Sequence, residues 1–182
     1  MLMRATVVVL SLVTAVGVSN AAESLTLDAK KSKIEFVGAK PDGKHAGGFK
    51  EFAAKAMADF EDPTKGSLEI EIATASLWSD AEKLTSHLKN PDFFDVRKYP
   101  KINFKSTQIV PGGEEGQLKI LGVMKMLDKE VKVEIPATVE VSDSEVKLVS
   151  DFKIDRTKWG MDYGKGKIND EVVIKVSFLF SR

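Results

Sequence analysis

Along much of this chain, apolar and polar residues alternate one by one. Val146, Leu148, Phe152 and Ile154 are separated by Lys147, Asp151 and Lys153, and Val172, Ile174, Val176, Phe178 and Phe180 repeat the spacing near the C-terminus. Successive side chains of a strand point to opposite faces, so period two marks a strand with one buried face. The same pattern runs through Leu68, Ile70 and Ile72, through Ile102 and Phe104, and through Val131, Val133, Ile135, Ala137, Val139 and Val141. Shorter candidates lie at 25–27, 34–37, 49–59 and 117–126. Turn signals separate them: Pro41-Asp42-Gly43, Asp62-Pro63-Thr64, Pro111-Gly112-Gly113 and Ser142-Asp143-Ser144. Strand after strand with short links predicts an all-β antiparallel meander of about eight or nine strands. An open sheet would expose its apolar face. Closure into a barrel or folding into a sandwich buries it, and alternation alone does not choose between the two.

Two segments break the alternation. Ser79-Asp80-Ala81-Glu82 has the form of a capping box, Leu84 and Leu88 then fall four apart, and Pro91 stops the run. This predicts a helix of about ten residues, too short to stand alone and therefore docked on something apolar. Trp78, Phe93 and Phe94 flank it, which suits a cap over one end of the strand assembly. The second segment, 155–170, reads DRTKWGMDYGKGKIND. It is long for a hairpin link and carries Trp159, Met161 and Tyr163, as a lid or a covered barrel end would.

The residues exclude several chemistries. Cysteine is absent, which removes thiolate metal sites, cysteine nucleophiles and disulfides. Lys plus Arg balances Asp plus Glu at 27 each, so no basic excess points to nucleic acid. The two histidines, His45 and His87, show no metal-ligand spacing, and no metal or catalytic group is expected. Gly38-Ala39-Lys40-Pro41-Asp42-Gly43-Lys44 imitates a P-loop, but His45 stands where Ser or Thr should ligate magnesium and Gly47-Gly48 deny a following helix. It reads as a glycine-rich turn.

At the N-terminus Arg4 precedes an uncharged run, Ala5 to Val18, and Ser19-Asn20-Ala21 supplies small residues for cleavage. The expectation is a secretory signal peptide at 1–21, cleaved near Ala21, and one domain at 22–182. The run is shorter than the about 20 apolar residues of a membrane span. The expected address is the periplasm.

From Leu84 onward the chain resembles the YceI-like family of exported polyisoprenoid-binding proteins. The residues that carry the likeness are His87-Leu88, Asp92-Phe93-Phe94-Asp95 and Tyr99-Pro100-Lys101-Ile102-Asn103-Phe104-Lys105-Ser106. Leu118 to Lys125 is similar to a second family block, with Met124 where Thr is usual. Ile154 to Gly160 is similar to a third, with Trp159 for Phe, and Gly48 to Phe52 to an early one. The resemblance implies an eight-stranded lipocalin-like barrel with a helical insertion near 79–95. It also implies a long apolar pore for a polyisoprenoid or an isoprenoid quinone, held as cargo with no cofactor. Burying one five-carbon prenyl unit would gross ~3 kcal/mol.

On this reading the tail lies among Phe36, Leu68, Ile70, Ile102, Phe104, Ile120, Leu148, Phe152, Ile174 and Phe178. Leu84, Leu88, Phe94, Trp159 and Met161 close the mouth, and Arg156 and Lys125 are the head-group candidates. Transient membrane contact and a homodimer are the further partners considered. The alternatives are a packed barrel acting by protein contact, or an enzyme using His87 with a nearby carboxylate.

Overall fold

The computed structural model describes residues 22–182; the expected leader at 1–21 lies outside them. The described residues form strands β1 (Glu23–Leu27), β2 (Lys33–Lys40), β3 (Gly43–Phe49), β4 (Phe52–Ala58), β5 (Ser67–Ala73) and β6 (Leu77–Ser79). Helix α1 (Glu82–Leu88) follows, and then β7 (Lys101–Pro111), β8 (Gln117–Met126), β9 (Lys129–Val141), β10 (Glu145–Asp155) and β11 (Glu171–Ser181). All named pairings are antiparallel, in the order β1-β4-β5-β7-β8-β9-β10-β11-β2-β3-β6, and β1 also pairs β11.

Eleven labels describe eight long strands. β1 and β2 lie end to end along β11, through Thr26 opposite Ser181 and Ile34 opposite Val176. β3 runs into β4 after two residues, and β5 into β6 through a 3₁₀ turn at Thr74–Ser76. With those breaks bridged, the meander closes on itself as an eight-stranded barrel. The breaks in the second and third strands are tied together: Ala73 N–H donates to Glu51 O at 3.0 Å and Glu51 N–H to Ser76 Oγ at 3.0 Å. At the first, the Asp28 carboxylate accepts the Lys30 and Lys31 N–H groups, and Ser32 Oγ, itself donating to Asp28 O, accepts Leu179 N–H. The wall bends there without stranding backbone polar groups.

The alternation fixes the interior. On β10, Val146, Leu148, Ser150 and Phe152 are buried while Glu145, Lys147, Val149, Asp151 and Lys153 are exposed. The outer face carries cross-strand ion pairs, such as Lys105–Glu69 at 2.7 Å and Lys101–Glu71 at 2.8 Å. Being exposed, they contribute little to stability. One bulge interrupts the inward parity. Between Ser106 and Gln108 β7 carries an extra residue against β8, so Ile102 and Phe104 face in before it and Ile109 after it. Ser106 Oγ accepts the Leu68 N–H at 2.9 Å.

The wall splits once. β9 pairs β10 only from Thr138 to Val141 against Val149 to Val146. Pro136, with no N–H to give, sits where pairing stops. Its carbonyl takes the Ser150 hydroxyl instead. The 3₁₀ turn Arg156–Trp159 packs against β9 beside the split, and Trp159 Nε1–H donates to Met124 O at 3.0 Å.

On the neighbouring strand, Gly122 makes room for Phe104. A Cβ on Gly122 would stand 2.5 Å from the Phe104 ring and 2.5 Å from Lys105 O. Gly122→Ala is expected to lower unfolding stability by about 1–3 kcal/mol, measured by urea denaturation. An unchanged midpoint would mean that both the ring and the β7 backbone at Lys105 are free to move away.

Candidate functional site

Residues 82–100 and 154–170 cover one end of the barrel. Leu84 and Leu88, on one face of α1, point into it, as their four-residue spacing requires. The helix starts differently from the expectation. It spans seven residues, and Ala81 at its N-cap makes no side-chain cap. Ser79 belongs to β6, so its hydroxyl meets Thr85 Oγ1 at 3.0 Å while Thr85 Oγ1 accepts the Ser79 N–H at 2.8 Å. The capping box does not form because its first residue is held by the sheet.

Arg156 organises the second segment. Its side chain is 4% exposed, and all five N–H groups are engaged. Nε donates to Asn169 O, Nη1 to Met161 O and Tyr163 O, and Nη2 to Ile168 O and the Asp170 carboxylate. One guanidinium thus gathers a loop whose own pairing is a single bridge between Lys165 and Ile168. Asp155 caps the 3₁₀ turn that follows it. The Thr157 hydroxyl, then the Thr157 N–H, hold its carboxyl below the usual carboxylate range. A clasp joins the two covers: His87 Nε2 lies 2.9 Å from Asp92 Oδ2, and its ring packs edge-on against Phe93 and Tyr163.

Beneath these covers lies a cavity of about 330 Å³, within the range of small-molecule sites. Its walls are Ile34, Phe36, Phe49, Ile72, Ile102, Met124, Met126, Ile154, Val172 and Ile174. Leu84, Leu88, Phe93, Phe94, Met161 and Ile168 cover it, and Gly38, Ala39, Lys40, His45, Arg156 and Asn169 complete the rim. Of the expected site residues, the structure brings Phe36, Leu84, Leu88, Phe94, Ile102, Arg156, Met161 and Ile174 together here. Leu68, Ile120 and Leu148 instead line a second space of about 660 Å³ at the opposite end, which also has Asp59, Glu114 and Glu115 on its boundary.

Between the two spaces the lumen is packed. Ile70 and Phe104 pair one step deeper than Ile72 and Ile102, and Phe178 stacks on Phe52 at 5.8 Å. Ile70, Phe104, Phe152 and Phe178 are buried and line neither end. The pore is therefore two chambers separated by side chains rather than one continuous channel.

Three expected positions sit elsewhere or are already occupied. Trp159 is 1% exposed and lines a shallow outer depression at the β9–β10 split, not the mouth. Lys125 has outward parity on β8 and lies 3.3 Å from Asp128. Arg156 borders the cavity with no N–H left for a head group. His45, which has no metal-ligand spacing, is hydrogen-bonded to Asp80 and also lines the rim. It shares the parity of Phe49 on β3, the one signal in the sequence that places it. His87 itself does not line the cavity; of its clasp only Phe93 does. Among the described residues no cluster of His, Asp or Glu is arranged to hold a metal ion, and no helix is long and apolar enough to cross a membrane.

Comparison with known proteins agrees with this architecture. The YceI-like domain model matches residues 25–180. A UPF0312 protein of Pseudomonas putida strain W619 is 36% identical over 84 residues, 43% of this chain and 44% of that protein. One from Photorhabdus laumondii is 32% identical over 83 residues, 43% of each chain. The match thus spans less than half the length of these curated relatives. Burkholderia cenocepacia BcnA superposes with a TM-score of 0.79 at 25% identity, covering 84% of this chain and 98% of its own. A polyisoprenoid-binding domain from Saccharophagus degradans superposes at 0.69 with 12% identity, covering 88% and 99%. With the family model matched from β1 to β11, the chain belongs to the YceI-like family.

Proposed function

We propose that this chain is an exported, non-catalytic carrier whose mouth chamber holds the prenyl tail of a polyisoprenoid or isoprenoid-quinone-like amphiphile in the periplasm. The observation that carries the reading is the cavity itself: about 330 Å³ in a closed barrel, walled by aliphatic, Met and Phe side chains. Such a space favours an apolar guest because each buried methylene contributes about 0.8 kcal/mol. The family membership and the polyisoprenoid-binding neighbour support it.

The chamber stops at the packed layer around Phe104 and Phe178, so it takes the head-proximal part of a chain. Three prenyl units would gross roughly 9 kcal/mol before ordering costs. The test is organic extraction and mass spectrometry of protein purified from its own host. The expected result is a near-stoichiometric prenyl-chain lipid. Empty extracts, together with no uptake of added farnesol, would instead favour the packed barrel acting by protein contact.

A further inference from the structure

The rim offers few polar groups to a guest. Arg156 is saturated, and Lys40 Nζ lies 3.3 Å from Asp42. His45 is different. Its Nδ1 lies 2.9 Å from Asp80 Oδ1, while Asp80 Oδ2 accepts the Ala46 N–H at 3.0 Å. The Ala46 N–H first, and His45 second, hold the Asp80 carboxyl below the ordinary carboxylate range. An ionised carboxylate only accepts, so the hydrogen of the bond must sit on Nδ1. In the neutral imidazole Nε2 is then the lone-pair nitrogen. No described residue bonds it, and His45 borders the cavity at its open edge, its side chain 43% exposed. Asp80 thus fixes the tautomer from outside the chamber.

We infer that His45 Nε2 is the head-group site of the mouth chamber, accepting a hydrogen bond from the hydroxyl of a prenyl alcohol, phenol or quinol. This rests on the lipid reading above and narrows it. A carbonyl head, as in a quinone, or an ether offers no hydrogen to a lone pair. A hydroxyl does. The preference is set by Asp80, which contacts the imidazole and acts as a positioning residue.

Three probes with a farnesyl-type C15 tail separate the possibilities at pH 8: farnesol, farnesyl methyl ether and the oxygen-free hydrocarbon farnesane. Affinities are read by displacement of a fluorescent apolar dye. The expected order for the native protein is farnesol tighter than the ether by roughly 3- to 10-fold, the span of one net hydrogen bond. His45→Ala should erase that preference while still binding farnesane as the native protein does, which shows that the chamber survived. Asp80→Asn is the sharper variant. Its amide oxygen takes the Ala46 N–H and its NH₂ donates to Nδ1, moving the imidazole hydrogen to Nε2. The alcohol preference should then vanish with the imidazole still in place. Equal affinity for alcohol and ether in the native protein, or an unchanged preference in His45→Ala, would overturn the inference and leave the lipid reading standing. Failure of all three probes to bind would remove both.

Discussion

Gly38→Trp is expected to empty the mouth chamber without unfolding the barrel. Gly38 lies on β2 with the inward parity of Ile34 and Phe36, opposite His45, and borders the cavity. A Cβ built there meets nothing within 4 Å, and the backbone is not left-handed. The indole therefore has room to project into the chamber, where the native residue supplies no side chain. Trp has the bulkiest side chain of the twenty residues, so its indole occupies much of a 330 Å³ space.

Farnesol affinity should fall by roughly tenfold or more, or about 1.4 kcal/mol at least. Thermal stability should hold or rise, because the ring buries apolar area and the glycine's excess chain entropy is removed. Gly113→Trp is the matching control. Gly113 also has open space around it, but it sits in the β7–β8 turn and borders neither chamber. It should leave affinity unchanged. Native affinity in Gly38→Trp would mean that the guest binds elsewhere.

Arg156→Ala should be the most damaging single change in the covers. It leaves four backbone carbonyls and the Asp170 carboxylate without their shared donor. Hydrogen bonds to charged groups are worth about 1.5–3 kcal/mol each, and the set is not additive. A loss of about 3 kcal/mol or more is expected, or roughly 6–12 °C in Tm for a chain of this length. Arg156→Lys should recover little, since an ammonium cannot present five donors in a planar fork. Amide exchange in 156–170 should accelerate in both variants. Farnesol affinity should fall as well, because Met161, Ile168 and Asn169 lose their positions at the rim. Native stability in Arg156→Lys would show that charge, not the fork, holds the segment.

The barrel was legible where alternation is uninterrupted. β10 and β11 face inward at the residues their spacing names, and Leu84 and Leu88 point to the chamber for the same periodic reason. Alternation says which side a residue faces but not how far it reaches across a lumen. Phe104 looked like a lining residue of an open pore, whereas its ring lies over Gly122 of the neighbouring strand, within the packed layer between the chambers. The bulge near Thr107 had no local signature, because an extra residue in a ladder is defined by the partner strand. The three bent strands look in sequence like shorter, separate ones.

Trp159 was drawn to the mouth by its loop. The opening beside Pro136 claimed it instead, with a carbonyl for its indole N–H. His45 gained its role only when Asp80, 35 residues away, came beside it.

The most direct measurement is a crystal structure of the protein grown with farnesol. The predicted result is one chain of density that begins beside His45, passes under Leu84 and Leu88, and ends against Ile72, Ile102 and Met124. A guest lodged on the outer wall, or a mouth chamber closed by the protein's own side chains while farnesol is in excess, would contradict it.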